Sequence, residues 1–368
     1  MVTFLDNPEK ISQIDKSNML SDLAKTPDYC RDAIERAKQI NVSKLVNPKN
    51  MIIIGMGGSA IGGEILKSWL RQKLPIPIEV CRDYILPAYA NKDTLVFANS
   101  YSGNTEETLT AFLTAIKRKC TVFAVTSGGQ LGTFCKKLQV HHVIIPPGLQ
   151  PRVAVPYMFF PLPILMEKLG ILSNIEVELE ETIAVLHKVV KANSPNITIE
   201  ENRSKHLASE IVGTIPVIYG FREYGSVAYR LKAQFNENSK IPSKSEVFPE
   251  LNHNETVGYE APAALTKTLS IILIRDPQEP PELRNRIETT TDLVFSRANK
   301  VLEIKAVGKG KLAKMFSVLC IGDFTSVYLA ILQNKDPTPV NIIDKVKNEL
   351  AKESGMKEHI DLELAKLK

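Results

Sequence analysis

Short apolar runs alternate with amphipathic stretches from residue 51 onward. Runs of four to six apolar residues predict buried strands, and the stretches between them have the spacing of helices. The strands predicted in the first half are Met51–Ile54, Ile76–Val80, Thr94–Ala98, Thr121–Val125 and Val143–Ile145. The helices predicted between them are Gly62–Leu70, Thr105–Arg118 and Gly129–Lys137. This βα rhythm predicts a parallel sheet that is covered by helices on both faces.

A second alternating block follows a predicted helix over residues 157–193 and the helix-breaking segment that starts at Asn193. Its predicted strands are Pro216–Gly220, Glu246–Phe248, Leu269–Ile274 and Val301–Ala306. Its predicted helices are Gly225–Asn238, Pro280–Asn299 and Leu312–Asn334. The two halves therefore repeat one architecture.

The sequence thus predicts an α/β fold of two doubly wound parallel-sheet domains with a C-terminal helical tail. The predicted boundaries give a helical extension over residues 1–45, a first sheet domain over 46–165, a helical linker over 166–197, a second sheet domain over 198–335 and a tail over 336–368.

Two turns of the first half carry glycines and hydroxyls at the point where a strand gives way to a helix. The first turn is Gly55–Gly63 and the second is Ser100–Thr105. The N-terminus of a helix offers unpaired N–H groups and a partial positive charge, so two such turns side by side form a cradle for an anion. The residues predicted to hold a phosphate are Gly58, Ser59, Ser100, Ser102 and Thr105.

The first turn also satisfies the dinucleotide-binding pattern through Gly55, Gly57 and Ala60, with Asp83 in position for a ribose. It could also be a tight turn without any ligand. The second, hydroxyl-rich turn favours a terminal phosphate monoester, because a pyrophosphate needs only one glycine loop. A sugar phosphate is therefore the preferred ligand.

Composition supports a soluble, cytoplasmic protein. The chain has 368 residues, of which 44% are hydrophobic and 24% charged, and its formal net charge is +5. Basic residues are spread along the chain, so no nucleic-acid partner is predicted. The apolar run Tyr157–Met166 is too short to span a bilayer, so no membrane association is predicted. The five cysteines have no metal-ligand spacing and there is no His-Glu-x-x-His motif, so we expect reduced thiols, no metal and no cofactor.

The motifs Gly-Met-Gly-Gly-Ser and Ser-Tyr-Ser-Gly-Asn-Thr-Glu-Glu-Thr resemble those of the sugar isomerase (SIS) domain. The resemblance continues through the segments Asn236–Lys240, Pro249–Glu255, Thr338–Pro339 and Ile343–Lys347. Together these motifs are similar to those of the bifunctional phosphoglucose/phosphomannose isomerases, which join two SIS domains. The resemblance covers about residues 48 to 350, and it implies isomerisation of glucose 6-phosphate and mannose 6-phosphate to fructose 6-phosphate through a cis-enediol.

The resemblance also implies roles for individual side chains. Glu237 corresponds to the base that moves the proton between C1 and C2, a task that suits a carboxylate. His253 corresponds to the histidine that opens the sugar ring and that the partner subunit contributes, which implies a homodimer. The asparagines on either side of His253 could fix its tautomer. Arg152 corresponds to the arginine that stabilises the enediolate.

Two later positions complete the implied site. Lys347 matches a lysine that assists near the ring oxygen, although Lys345 lies only two residues away and is the alternative. Thr338 corresponds to the position linked to dual specificity, where a small side chain leaves room for both C2 epimers.

Single SIS domains also occur in sugar-sensing regulators, so a non-catalytic phosphosugar-binding module is one alternative function. A dinucleotide-dependent oxidoreductase is the other.

Overall fold

A computed structural model of the protein describes residues 4–42, 45–353 and 355–367. Its strands are β1 (Asn50–Ile54), β2 (Ile78–Cys81), β3 (Thr94–Ser100), β4 (Thr121–Thr126), β5 (His141–Ile144), β6 (Ile215–Phe221), β7 (Lys244–Phe248), β8 (Leu269–Arg275) and β9 (Lys300–Lys305). Each lies within a few residues of a strand that the apolar runs predict.

The α-helices fill the intervals between the strands and both ends of the described chain. They are α1 (Pro8–Ile14), α2 (Met19–Ala24), α3 (Thr26–Lys38), α4 (Gly57–Leu70), α5 (Glu106–Lys117), α6 (Gly129–Lys137), α7 (Val155–Phe159), α8 (Pro161–Lys168), α9 (Glu176–Ala192), α10 (Arg203–Ile211), α11 (Tyr224–Gln234), α12 (Ala263–Thr266), α13 (Pro281–Leu293), α14 (Lys311–Leu332), α15 (Asn341–Glu353) and α16 (Met356–Ala365). A short π-helix, Phe235–Ser239, continues α11.

The chain forms two compact units, each built around one sheet. The first-sheet unit comprises Asp28–Ile175 and the residues from Val340 onward, and the second-sheet unit comprises the residues up to Pro27 and Glu176–Pro339. The predicted N-terminal extension is thus shared between the units. The five domain boundaries predicted from the sequence remain a proposal.

The sheet of the first-sheet unit has the strand order β2-β1-β3-β4-β5, and all its strands are parallel. All seven residues of β3 are buried, as expected for a central strand that is covered on both faces. The strand order reverses between β1 and β3. In sheets of this kind the crevice at the carboxyl ends of those two strands is where ligands bind.

The sheet of the second-sheet unit has the order β7-β6-β8-β9 and is also parallel. This is the order of the first four strands of the other sheet, so the prediction of two doubly wound parallel sheets is confirmed.

Helix α14 is long and apolar enough to cross a membrane by length and composition alone, with a mean hydropathy of 1.8 over its most apolar window. However, 89% of that window is buried inside the protein, where α14 packs on α9 and α10.

Four predicted helices differ from the observed ones. Helix α4 begins at Gly57 rather than Gly62, because the glycine turn itself forms the first helical turn. The helix predicted over residues 157–193 is divided, since prolines start new helices at α7 and α8 and Gly170 adopts a left-handed conformation with φ +77°. The helix predicted over Gly225–Asn238 changes to a π-helix at Phe235. The helix predicted over Pro280–Asn299 ends at Leu293 and is followed by a short 3-10 turn.

Candidate active site

The first glycine turn connects the carboxyl end of β1 to α4. A Cβ on Gly55 would lie 3.0 Å from the carbonyl oxygen of Asn99, and Gly57 has a left-handed φ of +50°. Both positions therefore favour glycine. The turn buries Ser59, whose Oγ accepts a hydrogen bond from the backbone N–H of Tyr101 at 3.1 Å. This bond joins the first turn to the second.

The second turn connects the carboxyl end of β3 to α5. The hydroxyls of Ser100 and Thr105 lie 3.0 Å apart, and Ser100 Oγ also accepts from the N–H of Gly103 at 3.1 Å. Thr105 is the N-cap residue of α5, yet its hydroxyl pairs with Ser100 instead of capping the helix. Ser102 is exposed, and its Oγ accepts from the N–H of Asn104 at 3.2 Å.

The two turns lie at the crevice where the strand order reverses. The structure thus brings the predicted phosphate residues together on neighbouring strands, in front of the N-termini of α4 and α5. Ser59 and Ser102 accept from N–H groups and keep their hydroxyl hydrogens to donate, and the Ser100–Thr105 pair keeps one of its two. This arrangement is suited to a phosphate dianion.

Arg152 lies in the same unit and approaches the first turn through a backbone contact. A Cβ on Gly58 would lie 2.6 Å from the carbonyl oxygen of Pro151, so only glycine allows this approach. The Arg152 side chain is buried, with 2% of its surface exposed, and its Nη1 donates to Gln150 Oε1 at 3.3 Å. A buried guanidinium on the residue whose backbone adjoins the first turn is compatible with the predicted role in stabilising negative charge. The sequence did not predict this contact with Gln150, because Gln150 belongs to none of the motifs.

Asp83, the residue expected for a dinucleotide ribose, lies just beyond β2. It is exposed, and its Oδ1 accepts from the N–H of Ile85 at 3.2 Å, which is a local turn contact. This contact gives Asp83 a structural role that needs no ligand.

Glu237 lies in the second-sheet unit, on the π-helix that follows α11. Its side chain is half-buried. Lys240 ends the π-helix in a left-handed conformation with φ 56°. The Nζ of Lys240 donates to the carbonyl oxygens of Glu237 at 2.7 Å and of Pro337 at 2.8 Å. The sequence includes Lys240 in a motif but does not reveal these two contacts.

Three hydrogen bonds hold the π-helix and the last residue of α11 on α14. Asn238 Nδ2 donates to Ser326 Oγ at 2.9 Å, and Ser239 Oγ donates to the carbonyl oxygen of Ser326 at 2.6 Å. Gln234 Nε2, one residue before the π-helix, donates to Asp323 Oδ1 at 2.6 Å. Burial raises the pKa of Asp323 to about 6. An ionisable group that sequence reasoning missed therefore lies beneath the segment that carries Glu237.

His253 is exposed at the end of a 3-10 turn, Glu250–His253, in the second-sheet unit. The amide nitrogens of the neighbouring asparagines donate to other residues: Asn252 Nδ2 to Thr290 Oγ1 at 2.7 Å, and Asn254 Nδ2 to Glu250 Oε1 at 3.0 Å. These bonds hold the turn rather than the histidine ring, and they differ from the contacts expected to fix its tautomer.

Glu255, two residues after His253, anchors this loop to the sheet. Its carboxylate accepts a hydrogen bond from the hydroxyl of Tyr219 on β6 and forms an ion pair with Lys244 Nζ on β7 at 2.9 Å. The Tyr219 hydroxyl also lies 2.8 Å from that of Tyr259. The loop that carries His253 is thus held by charge and hydrogen bonds to two strands.

Thr338 and Lys347 belong to different units. Thr338 is the second-last residue of the second-sheet unit and is half-buried, and its backbone N–H donates to Asp336 Oδ1 at 2.9 Å. Lys347 lies exposed on α15 in the first-sheet unit, and Lys345 is exposed on the same helix. Both lysines are exposed, so burial does not favour one of them over the other as the site residue.

In the second sheet, the turn after β8 contains the carboxylate side chain of Asp276. Asp276 accepts hydrogen bonds from Tyr224 Oη at 2.7 Å, Lys314 Nζ at 2.8 Å and the N–H of Gln278 at 2.8 Å. Burial opposes ionisation, but the bonds from Lys314 and Tyr224 outweigh it and lower the pKa of Asp276. An internal anion therefore fills the place that corresponds to the hydroxyl-rich turn of the first sheet.

Two parallel sheets of one topology, with hydroxyl-lined turns at the strand-order reversal of the first, are the architecture expected of a double-SIS sugar-phosphate isomerase. Residues 200–350 match the family of the bacterial phospho-glucose isomerase C-terminal SIS domain. A bifunctional phosphoglucose/phosphomannose isomerase from Caldicellulosiruptor bescii is 41% identical over 335 residues, which cover 90% of this chain and 99% of that protein. One from Thermoplasma acidophilum is 38% identical, over 82% of this chain and 90% of that protein.

A solved structure shows the same fold at lower sequence identity. The glucose-6-phosphate isomerase like protein from Thermus thermophilus superimposes with a TM-score of 0.61 at 18% identity, over 90% of this chain and 96% of that one. The sequence relatives identify the chain. It belongs to the family of bifunctional phosphoglucose/phosphomannose isomerases.

Proposed function

We propose that this protein reversibly converts glucose 6-phosphate, and also mannose 6-phosphate, into fructose 6-phosphate through a cis-enediol. The observation that carries the proposal is the set of hydroxyls at the strand-order reversal of the first sheet, together with the buried Arg152 beside Gly58. A phosphate dianion and a developing enediolate are the two anions that this reaction presents. Membership of the isomerase family supports both.

The phosphate is held by Gly58, Ser59, Ser100, Ser102 and Thr105 in this proposal. The hydroxyls of the four serine and threonine residues and the N–H groups at the starts of α4 and α5 are neutral donors. Arg152 supplies the positive charge that the enediolate needs. The guanidinium is buried, so its field is screened less than that of a surface arginine.

Proton transfer is assigned to Glu237 and ring opening to His253. A carboxylate can accept the C2 proton of the aldose and return it to C1, which regenerates the base in each cycle. An imidazole exchanges protons near neutral pH, as opening of the pyranose ring requires. The contacts beneath the π-helix and around Glu255 support these roles, because they restrict the backbone that carries each side chain.

Lys347, or Lys345 on the same helix, is assigned to the ring-oxygen end of the substrate. Thr338 is assigned to the C2 hydroxyl, where its small side chain accepts both epimers. We further propose a cytoplasmic homodimer in which His253 enters the site of the partner subunit. The exposure of His253 is compatible with that arrangement.

A coupled assay tests the proposal. The protein is incubated separately with glucose 6-phosphate and mannose 6-phosphate, and fructose 6-phosphate is measured. We expect turnover of both substrates without added NAD(H). Thermal stabilisation by fructose 6-phosphate without turnover would instead indicate a phosphosugar sensor. Binding of NAD(H) without isomerisation would indicate an oxidoreductase.

A further inference from the structure

Lys240 connects two segments of the second-sheet unit that are far apart in sequence. Its ammonium group donates to the carbonyl oxygen of Glu237, three residues earlier, and to that of Pro337, 97 residues later. Pro337 immediately precedes Thr338. One side chain thus bonds both to the backbone of the proposed base and to the backbone next to the proposed specificity residue.

We propose that Lys240 is a positioning residue that sets the location of Glu237 relative to Thr338. The inference rests on the proposed function. Lys240 itself is held by the backbone: its N–H donates to the carbonyl oxygen of Phe235, and its left-handed φ turns the chain out of the π-helix. The side chain then returns to the π-helix to reach both carbonyl oxygens.

Glu237 lies near the end of the π-helix, where the backbone carbonyl groups need partners from outside the helix. The last carbonyl groups of any helix lack partners within it, and here the helix ends within three residues of the base. Side-chain bonds to Ser326 of α14 hold Asn238 and Ser239, but these bonds do not reach the segment that contains Pro337. The Lys240 ammonium bonds to both that segment and the backbone of Glu237.

One hydrogen bond and two prolines restrict the backbone of the Pro337 segment. The N–H of Thr338 donates to Asp336 Oδ1, which closes a local turn, and Pro337 and Pro339 restrict the backbone on either side. Loss of the ammonium would therefore remove one link between the two segments. Displacement of a base by about 1 Å can reduce the rate of proton transfer about 100-fold.

The test compares Lys240→Met with Lys168→Met. Lys168 is a matched control in the first-sheet unit, because its Nζ also donates to two carbonyl oxygens, those of Lys38 and Ile40. For Lys240→Met we expect kcat to fall about 10- to 100-fold on both substrates, with KM changed less than about threefold. We also expect the ratio of kcat for mannose 6-phosphate to kcat for glucose 6-phosphate to change at least about threefold. Lys168→Met should lower Tm and leave that ratio unchanged.

Rescue provides a second readout. In Lys240→Cys, aminoethylation of the new thiol places an ammonium at nearly the original distance from the backbone. We expect it to restore both kcat and the substrate ratio, whereas the same treatment of wild type should have little effect. If Lys240→Met fails to fold, Lys240→Gln, which keeps one donor group, should change the ratio in the same direction by a smaller factor.

The outcomes separate the inference from the function on which it rests. Wild-type protein without isomerase activity would overturn both. Active wild type with an unchanged substrate ratio in every folded Lys240 variant would overturn the positioning role alone. Loss of activity in proportion to loss of folded protein, as for Lys168→Met, would do the same.

Discussion

Gly58 lies so close to Pro151 that no side chain fits between them: a Cβ would be 2.6 Å from the Pro151 carbonyl oxygen. This close approach places the backbone of Arg152 beside the first glycine turn, which we propose binds the phosphate. We therefore expect Gly58→Ala to displace Arg152 as well as to destabilise the first-sheet unit, by ~1–3 kcal/mol as in other overpacked sites. Activity assays and urea unfolding measure the two effects.

Gly132→Ala is the matched control for Gly58→Ala. Gly132 lies inside α6, and a Cβ there would meet only Thr126 Cγ2 at 3.8 Å among the described residues. Alanine is the better helix former by roughly 0.5–1 kcal/mol, so this variant should be as stable as wild type or more so, with unchanged kcat. Unchanged activity in Gly58→Ala would show that the backbone contact with Pro151 does not position Arg152.

The local parts of this fold could be predicted from the sequence. The run Met51–Ile54 predicts β1 to within one residue, and the glycine and hydroxyl turns mark the strand ends correctly. These features depend on neighbours in sequence. Helix α10 was missed although Asn202 supplies a clear N-cap, with its side chain accepting from the N–H of Lys205 at 3.0 Å.

Features that depend on distant residues could not be predicted. A π-helix has no sequence pattern of its own. The spacing of apolar residues therefore predicts an ordinary helix through Glu237 and gives no sign of the π-helix. The approach of Gly58 to Pro151 and the bond from Lys240 to Pro337 each join segments that are far apart in sequence. Only the packed backbone brings these groups together.

Glu237→Gln should retain binding and lose turnover. Glutamine has the same shape but cannot accept a proton at neutral pH, so we expect kcat to fall on the order of 10³–10⁴-fold for both substrates. Fructose 6-phosphate should raise Tm by the same amount in the variant as in wild type. Glu201→Gln, at an exposed position, is the control and should leave kcat unchanged. Near-normal turnover in Glu237→Gln would remove Glu237 from the mechanism.

Thr338→Gln should reduce activity on mannose 6-phosphate more than on glucose 6-phosphate. The larger amide would restrict the C2 hydroxyl to one orientation, and one such contact is worth ~1–3 kcal/mol. We therefore expect the ratio of the two kcat/KM values to change by about tenfold or more. Thr291→Gln replaces another threonine, in α13, and should leave the ratio as in wild type. An unchanged ratio in Thr338→Gln would exclude Thr338 as the specificity residue.

Asp323 makes the stability of the second-sheet unit depend on pH. Burial raises its pKa from an ordinary value of 3.8 to about 6, so between these values the folded protein binds a proton that the unfolded chain has released. The free energy of unfolding therefore loses a contribution as pH rises through this window. At about 1.4 kcal/mol per pH unit, the loss is on the order of 3 kcal/mol between about pH 4 and pH 7.

Asp323→Asn should abolish this contribution, because an amide does not ionise and its oxygen can still accept from Gln234. The free energy of unfolding of the variant minus that of wild type should therefore increase by on the order of 2–3 kcal/mol from about pH 4 to pH 7. Urea unfolding at a series of pH values measures this difference, and taking the difference cancels the other titrating groups. Asp292→Asn, at an exposed position, should give a nearly constant difference. A constant difference for Asp323→Asn as well would mean that the Asp323 carboxyl group has the same pKa in the folded and the unfolded protein. Ionisation of Asp323 would then not destabilise the folded protein.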